Sequence, residues 1–213
     1  YGSVVTIPAG TTEVWNVACS ECTKIVIQGS LILNVEIPNL TEIVVDGGRF
    51  EYNIASPNLS SLEMNNATVS VNAAIPNIMD LDVDGGILEL NVATILESLI
   101  VRNSGTVTHA TAVDAESPKL DLTVTNLTIQ EGYSIDVTGK GLLPTKAGNY
   151  YGGSYGGYGG TRSGWETNEP YGDKYRPVDF GIGGKYKDSW GTRGGGALKL
   201  EVTNELLLDG SIV

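Results

Sequence analysis

The densest cluster of reactive side chains is Glu166, Glu169, Asp173, Lys174 and Arg176. Paired carboxylates can supply the acid and base of glycoside hydrolysis, and a Lys or Arg beside a neutralised uronate can supply the base of a lyase. The spacing of these five sets no common face, and solvated loop charges would satisfy it equally. The expectation is therefore no catalysis. Aromatic residues surround the cluster: Tyr151, Tyr155, Tyr158, Trp165, Tyr171, Tyr175 and Trp190. Aromatic faces beside Asp, Glu and Arg suit the C–H surfaces and hydroxyls of a sugar. Tyr155, Tyr158, Trp165, Glu169, Tyr171, Asp173, Arg176 and Trp190 form the candidate ligand-binding set.

Metal and redox chemistry have fewer footholds. One His and two Cys nearly exclude a His-based triad and a zinc site of three or four His/Cys ligands. Cys19 and Cys22 form CSEC; they read first as small buried hydrophobes and second as a local disulfide in an oxidising compartment. No cofactor is expected. Calcium has two candidate turns, Asp46-Gly47-Gly48 and Asp80 to Asp84, but neither has the ligand spacing of calcium-binding coils. Four Asn-x-Ser/Thr sequons, at Asn39, Asn58, Asn66 and Asn126, could carry N-linked glycans in a eukaryotic secretory protein.

The balance of charge limits the partners. The 213 residues carry a net charge of −12, which repels nucleic-acid phosphates and anionic lipid. No apolar run reaches the ~18–20 residues of a membrane helix. Neighbouring domains or subunits, and glycans, remain as partners. Tyr1 lies close to the first repeat and Val213 follows a repeat-like strand, so the chain reads as a piece of something longer.

The elements that must position these groups are announced by a column of asparagines. Asn16, Asn34, Asn53, Asn72 and Asn91 recur every 18 or 19 residues, and His109 takes the next slot. The flanks repeat as well: LILNVEI, FEYNIAS, VSVNAAI and LELNVAT. A period this short means a solenoid whose rungs share one core. Alternation places Leu31, Leu33 and Val35 inside, then Phe50, Tyr52 and Ile54, then Val69, Val71 and Ala73, then Leu88, Leu90 and Val92. Asn34 and Asn53 point outward, so the column becomes an amide ladder between stacked parallel strands, ended by His109. Glu13 falls where an apolar residue is expected, which fits a polar cap on the end rung.

From about Lys140 to Gly196 the composition changes. This stretch holds 10 of the 15 aromatics and is near +3, leaving the remainder near −15. The repeat then resumes, LKLEVTNELLLDGSI following the pattern of LDLTVTNLTIQEGYSI. The Gly-rich segment thus reads as an ordered loop inserted between rungs, its glycines allowing close backbone approach. GGSYGGYGG, YGDKYRPVDFGIGG and GGGALKLEVTNELLLDGSI together resemble a segment of large secreted or surface-attached, pectin-lyase-like β-helical proteins. The resemblance covers about 90 residues, from near Thr123 to Val213. It implies a right-handed coil in an extracellular, structural or adhesive setting, and it brings no catalytic assignment with it.

The sequence therefore predicts an all-β protein: a single-stranded right-handed parallel β-helix with about 18–19 residues per early rung. One domain, 1–213, would comprise rungs over 1–139, an inserted loop over 140–196 and a final rung over 197–213. Its expected role is an extracellular structural or adhesive module, secreted or on a cell surface, with carbohydrate binding or cleavage as the alternative.

Overall fold

A computed structural model of the protein describes residues 3–144, 152–160, 169–185 and 191–213. The chain divides into two compact units. Unit one comprises Tyr1–Thr108, Leu120–Asp136 and Leu200–Val213; unit two comprises His109–Lys119 and Val137–Lys199. The segment that the composition marks as an insertion is thus most of a unit of its own, joined by the residues that follow Thr108.

The strands are β1 (Ser3–Ile7), β2 (Thr12–Trp15), β3 (Cys22–Ile27), β4 (Ser30–Leu33), β5 (Glu42–Asp46) and β6 (Arg49–Tyr52). There follow β7 (Ser61–Val71), β8 (Asp80–Leu90), β9 (Thr94–Thr108), β10 (Leu120–Ile129), β11 (Ser134–Ile135), β12 (Leu198–Leu208) and β13 (Ser211–Ile212). One row runs β1-β3-β5-β7-β8-β9-β10-β12, and a second runs β2-β4-β6 and joins at β7. The early pairs of both rows are parallel, as are β7–β8 and β8–β9, and they run in step apart from register shifts at Ser3/Val4 on β1 and at Asp84/Gly86 on β8. Unit one is therefore an all-β, solenoid-like stack of parallel strands.

Period-2 alternation of β-branched and Leu side chains generates the core directly. Ile25, Ile43, Leu62, Leu81, Leu99 and Leu127 are all buried, as are Ile27, Val45, Met64, Val83, Val101 and Ile129. In the second row Leu31, Phe50, Val69, Leu88 and Val107 line up, and Leu33, Tyr52, Val71 and Leu90 beside them. At the corner, Cys22, Leu40, Leu59 and Ile78 are buried in sequence-equivalent places. Ser56 takes an apolar corner position between Ile37 and Ile75, and its polar groups are satisfied. Its backbone N–H donates to the Tyr52 hydroxyl at 2.5 Å, and its Oγ accepts from the Ile37 N–H at 3.3 Å.

The third inward position departs from the alternation rule. Val35, Ala73 and Val92 are only partly buried and Ile54 is 42% exposed. The strands end at Leu33, Tyr52, Val71 and Leu90, and the chain bends directly after each Asn. Alternation predicts facing only while the backbone stays extended.

The asparagines do form a ladder. Nδ2 of Asn34, Asn53, Asn72 and Asn91 donates to Oδ1 of Asn16, Asn34, Asn53 and Asn72 at 3.1, 2.7, 2.7 and 2.7 Å. A second set of amides clips the corners: Asn39, Asn58 and Asn77 donate to the carbonyls of Ser20, Pro38 and Pro57 at 2.6, 2.5 and 2.7 Å. Glu13 pairs with Leu31 across β2–β4 and accepts from the Trp15 indole at 2.6 Å, so the first rung sets a polar pair over the apolar column.

His109 is not an exposed ladder member. It is fully buried in unit two, with Nδ1 2.7 Å from the Ala110 carbonyl and Nε2 accepting from the Ala197 N–H at 3.2 Å. The reason is one extra residue. The register of β8 on β9 shifts between Asp84 and Gly86, where Asn103 and Ser104 adopt φ of 52° and 70°. Glu89 then pairs with Thr108, which puts His109 in step with inward Leu90 rather than with Asn91.

Unit two is held by backbone lying on backbone. Leu142 N–H donates to Gly181 O at 2.8 Å, while Leu142 O accepts from Gly183 and Gly194 N–H at 3.0 and 3.1 Å. A Cβ at Gly183 would collide with Thr192 O, and one at Gly194 with Gly181 O, so glycine is required by close approach. Ala112, Phe180 and Ala197 form its small core, with Leu142 packed against them. Arg193 Nη1 ties the Ala112 and Gly141 carbonyls together at 2.5 and 2.9 Å.

Phe50→Ala or Leu90→Ala is expected to cost about 2–5 kcal/mol, since both open a cavity in the shared core. Asn53→Ala, which removes exposed amide bonds, is expected to cost about 1 kcal/mol. Urea denaturation checks the order: a ladder substitution costing more than the core ones would reverse the assignment of inner and outer faces.

Candidate functional site

The predicted aromatic set separates into structural and exposed members. Tyr155 and Tyr171 pack edge to face with ring centroids 5.2 Å apart. The Tyr171 hydroxyl donates to Phe180 O at 3.0 Å and accepts from Ile182 N–H at 2.5 Å. Those rings hold unit two together. Tyr158 and Tyr175 are 70% and 81% exposed, and Lys174 Nζ sits 4.7 Å from the Tyr175 ring centroid. Asp173 Oδ1 is engaged locally, accepting from the Tyr175 and Arg176 N–H groups at 2.8 and 3.3 Å. Glu169 and Arg176 are exposed. Among the described residues no ion pair joins Glu169, Asp173, Lys174 and Arg176. Tyr151, Trp165, Glu166 and Trp190 lie outside the described residues.

A better-formed site lies on unit one. The outward faces of β7, β8 and β9 line a groove of about 610 Å³. Strand pairing sets its columns: Asp80 beside Ser98, Asp82 beside Ile100, Asp84 beside Arg102, and Asn65 beside Asp84. Glu63, Asn77 and Met79 complete the lining. Arg102 lines the groove from β9. Its Nε donates to both Asp82 oxygens at 2.9 and 3.1 Å, and Nη2 lies 2.9 Å from Asp84 Oδ2. Asn103 Nδ2 donates to the other Asp84 oxygen at 2.6 Å. The hydrogen bonds that Arg102 donates to Asp82, with the charges of Asp82 and Asp84 beside it, hold the guanidinium more firmly protonated than usual. This is a fixed arginine–carboxylate array in a net acidic groove, and its carboxylate oxygens can accept hydrogen bonds from hydroxyls. Glu63 and Asp80 stand exposed along the same groove.

Of the two acidic turns weighed for calcium, Asp80 to Asp84 lies on β8, where Arg102 engages the Asp82 and Asp84 carboxylates. The loop aromatics drew attention away from this face. The signal was nevertheless present: DLDVD, taken as a strand rather than a turn, puts three carboxylates on one side.

Cys19 and Cys22 are joined in a disulfide with Cα atoms 5.5 Å apart. Cys22 is fully buried in the corner column and Cys19 is partly exposed, so the pair pins the first corner and fills a core place at once. No helix among the described residues is long and apolar enough to cross a membrane.

No family model, no curated protein and no solved structure matches this chain. The parallel solenoid-like fold of unit one rests on its own geometry, and the pectin-lyase-like resemblance on the Gly-rich motifs alone.

Burial holds the Tyr52 and Tyr171 phenols above the ordinary tyrosine range. The folded state thus favours their neutral forms, and the stability this contributes is complete below a pH of about 10 and lost as pH rises through the raised values. In an ultraviolet titration the signals lost in Tyr52→Phe and in Tyr171→Phe are expected to appear only above the ordinary tyrosine range. Ionisation of either phenol within that range, with native circular dichroism, would contradict this.

Proposed function

We propose that this chain is a structural or adhesive β-solenoid module of a secreted or cell-surface protein, wound right-handed like the pectin-lyase-like proteins its Gly-rich segment resembles, and that it works without turnover. The observation that carries the reading is how the outward polar groups are used. The Asn ladder, the Lys24–Glu42 pair, the Ser70–Glu89 bond and the Asp82/Asp84–Arg102 array each join one rung to the next. Side chains bound along the stack stiffen it, as suits a spacer or display element. The Cys19–Cys22 disulfide is in keeping with an oxidising compartment. Leu206, Leu207 and Leu208, 47%, 50% and 44% exposed on β12, favour partners that add to the stack along its axis.

The groove supports a second reading, glycan binding. Its alternating carboxylates, amides and hydroxyls around Arg102 suit sugar hydroxyls, and Ile100 and Met79 offer apolar contact.

Incubation with pectin, alginate and neutral glycans is expected to yield no new reducing ends and no unsaturated uronates. Reproducible product, abolished by Glu63→Gln or Asp80→Asn, would replace the structural reading with an enzymatic one. Saturable glycan binding without product, weakened about tenfold or more by Arg102→Ala, would favour the second reading.

A further inference from the structure

The four sequons differ in what the fold asks of their amides. Asn39 and Asn58 spend their side-chain nitrogens on corner clips, to Ser20 O at 2.6 Å and Pro38 O at 2.5 Å. A sugar on either nitrogen would compete for the hydrogen and the space of the clip. Asn126 lies within β10, where it pairs with Ser98 and accepts from Asn204 Nδ2 at 2.7 Å. A sugar there would stand between neighbouring strands.

Asn66 also lies within a strand, β7, and what sets it apart from the other three is its left-handed backbone. It is exposed, at the bend within β7, with φ of 46°. Its Nδ2 has no hydrogen-bond partner among the described residues. The strand registers place Asp46 beside Asn65 and Asn65 beside Asp84, so the residues flanking Asn66 in the adjacent rungs are Gly47 and Gly85. Both have positive φ, 71° and 79°. A bend that needs a left-handed residue accepts Gly or Asn, and here a single Asn stands between two glycines. No side chain crowds it from either side, and a Cβ at Gly85 would collide with the Asn66 carboxamide. Thr68, two residues on and partly exposed, supplies the hydroxyl of the sequon.

We propose that Asn66 is an acceptor site for an N-linked glycan, while Asn39, Asn58 and Asn126 are kept for the fold. The inference rests on the secreted reading above for its setting. In the transfer, Asn66 Nδ2 bonds to the anomeric carbon of a lipid-phosphate-linked oligosaccharide. The bond from that carbon to the donor phosphate oxygen breaks, the phosphate leaves with the electron pair, and an amide proton passes to a base. Asn65 lines the groove, so the glycan would rise at the groove's rim.

The test is secretion of the full chain from a eukaryotic cell behind an added leader, followed by glycopeptide mass spectrometry with enzymatic deglycosylation in heavy-oxygen water. Most secreted molecules should carry one glycan, on Asn66, and lose it in both Asn66→Gln and Thr68→Val. Thr68→Val leaves the left-handed Asn in place, so it reports on the site even if Asn66→Gln folds poorly. An empty Asn66, or glycans on Asn39 or Asn58 in the folded secreted protein, would overturn the assignment. Because the leader is supplied, an occupied Asn66 here combined with native protein found inside its cells would defeat the secreted reading and leave the acceptor assignment standing.

Discussion

Everything in unit one depends on parallel strands stacking in step. Each rung places its apolar residues over those of the rung before, so stacked columns from the two strand rows and the corner fill one core. The same step brings like polar residues together on the outside. An asparagine can use this because its amide both donates and accepts, so a column of Asn bonds in one direction without frustration. A column of like charges could not. Where two carboxylates share one face of a strand, as Asp82 and Asp84 do on β8, an arginine from the next strand reaches both.

The same constraint explains the departures. Ser56 can replace an apolar corner residue because its hydroxyl is engaged there, accepting from the Ile37 N–H, while its backbone N–H donates to the Tyr52 hydroxyl. The bulge at Asn103 and Ser104 adds a residue, and every position beyond it changes face. His109 becomes a buried member of unit two by that route. Its two ring nitrogens are then engaged by backbone groups.

Unit two follows another logic. Among its described residues the core is small, Ala112, Phe180 and Ala197 with Leu142 against them, and close contact of glycine backbones adds to it. The hydrogen bonds among residues 141–142, 181–183 and 194–195 hold it, and Tyr171 and Arg193 act as side-chain ties between segments. The partly buried Tyr155 and Tyr171 are spent on cohesion, and Tyr158 and Tyr175 are left facing solvent.

The repeat by itself determined the architecture of unit one: the inward columns, the Asn ladder and the corners all follow from a local period that needs no knowledge of distant contacts. The Gly-rich composition likewise announced a change of structure near residue 140. Tertiary structure alone decided which outward groups meet. Asp82, Asp84 and Arg102 lie in adjacent rungs, and only the register of β8 on β9 joins them. That register depends on where bulges and bends fall, as the exposure of Ile54 and the burial of His109 both show. Alternation is encoded residue by residue, whereas the pairing of rungs is a sum over the whole chain between them. A single inserted residue is enough to change it.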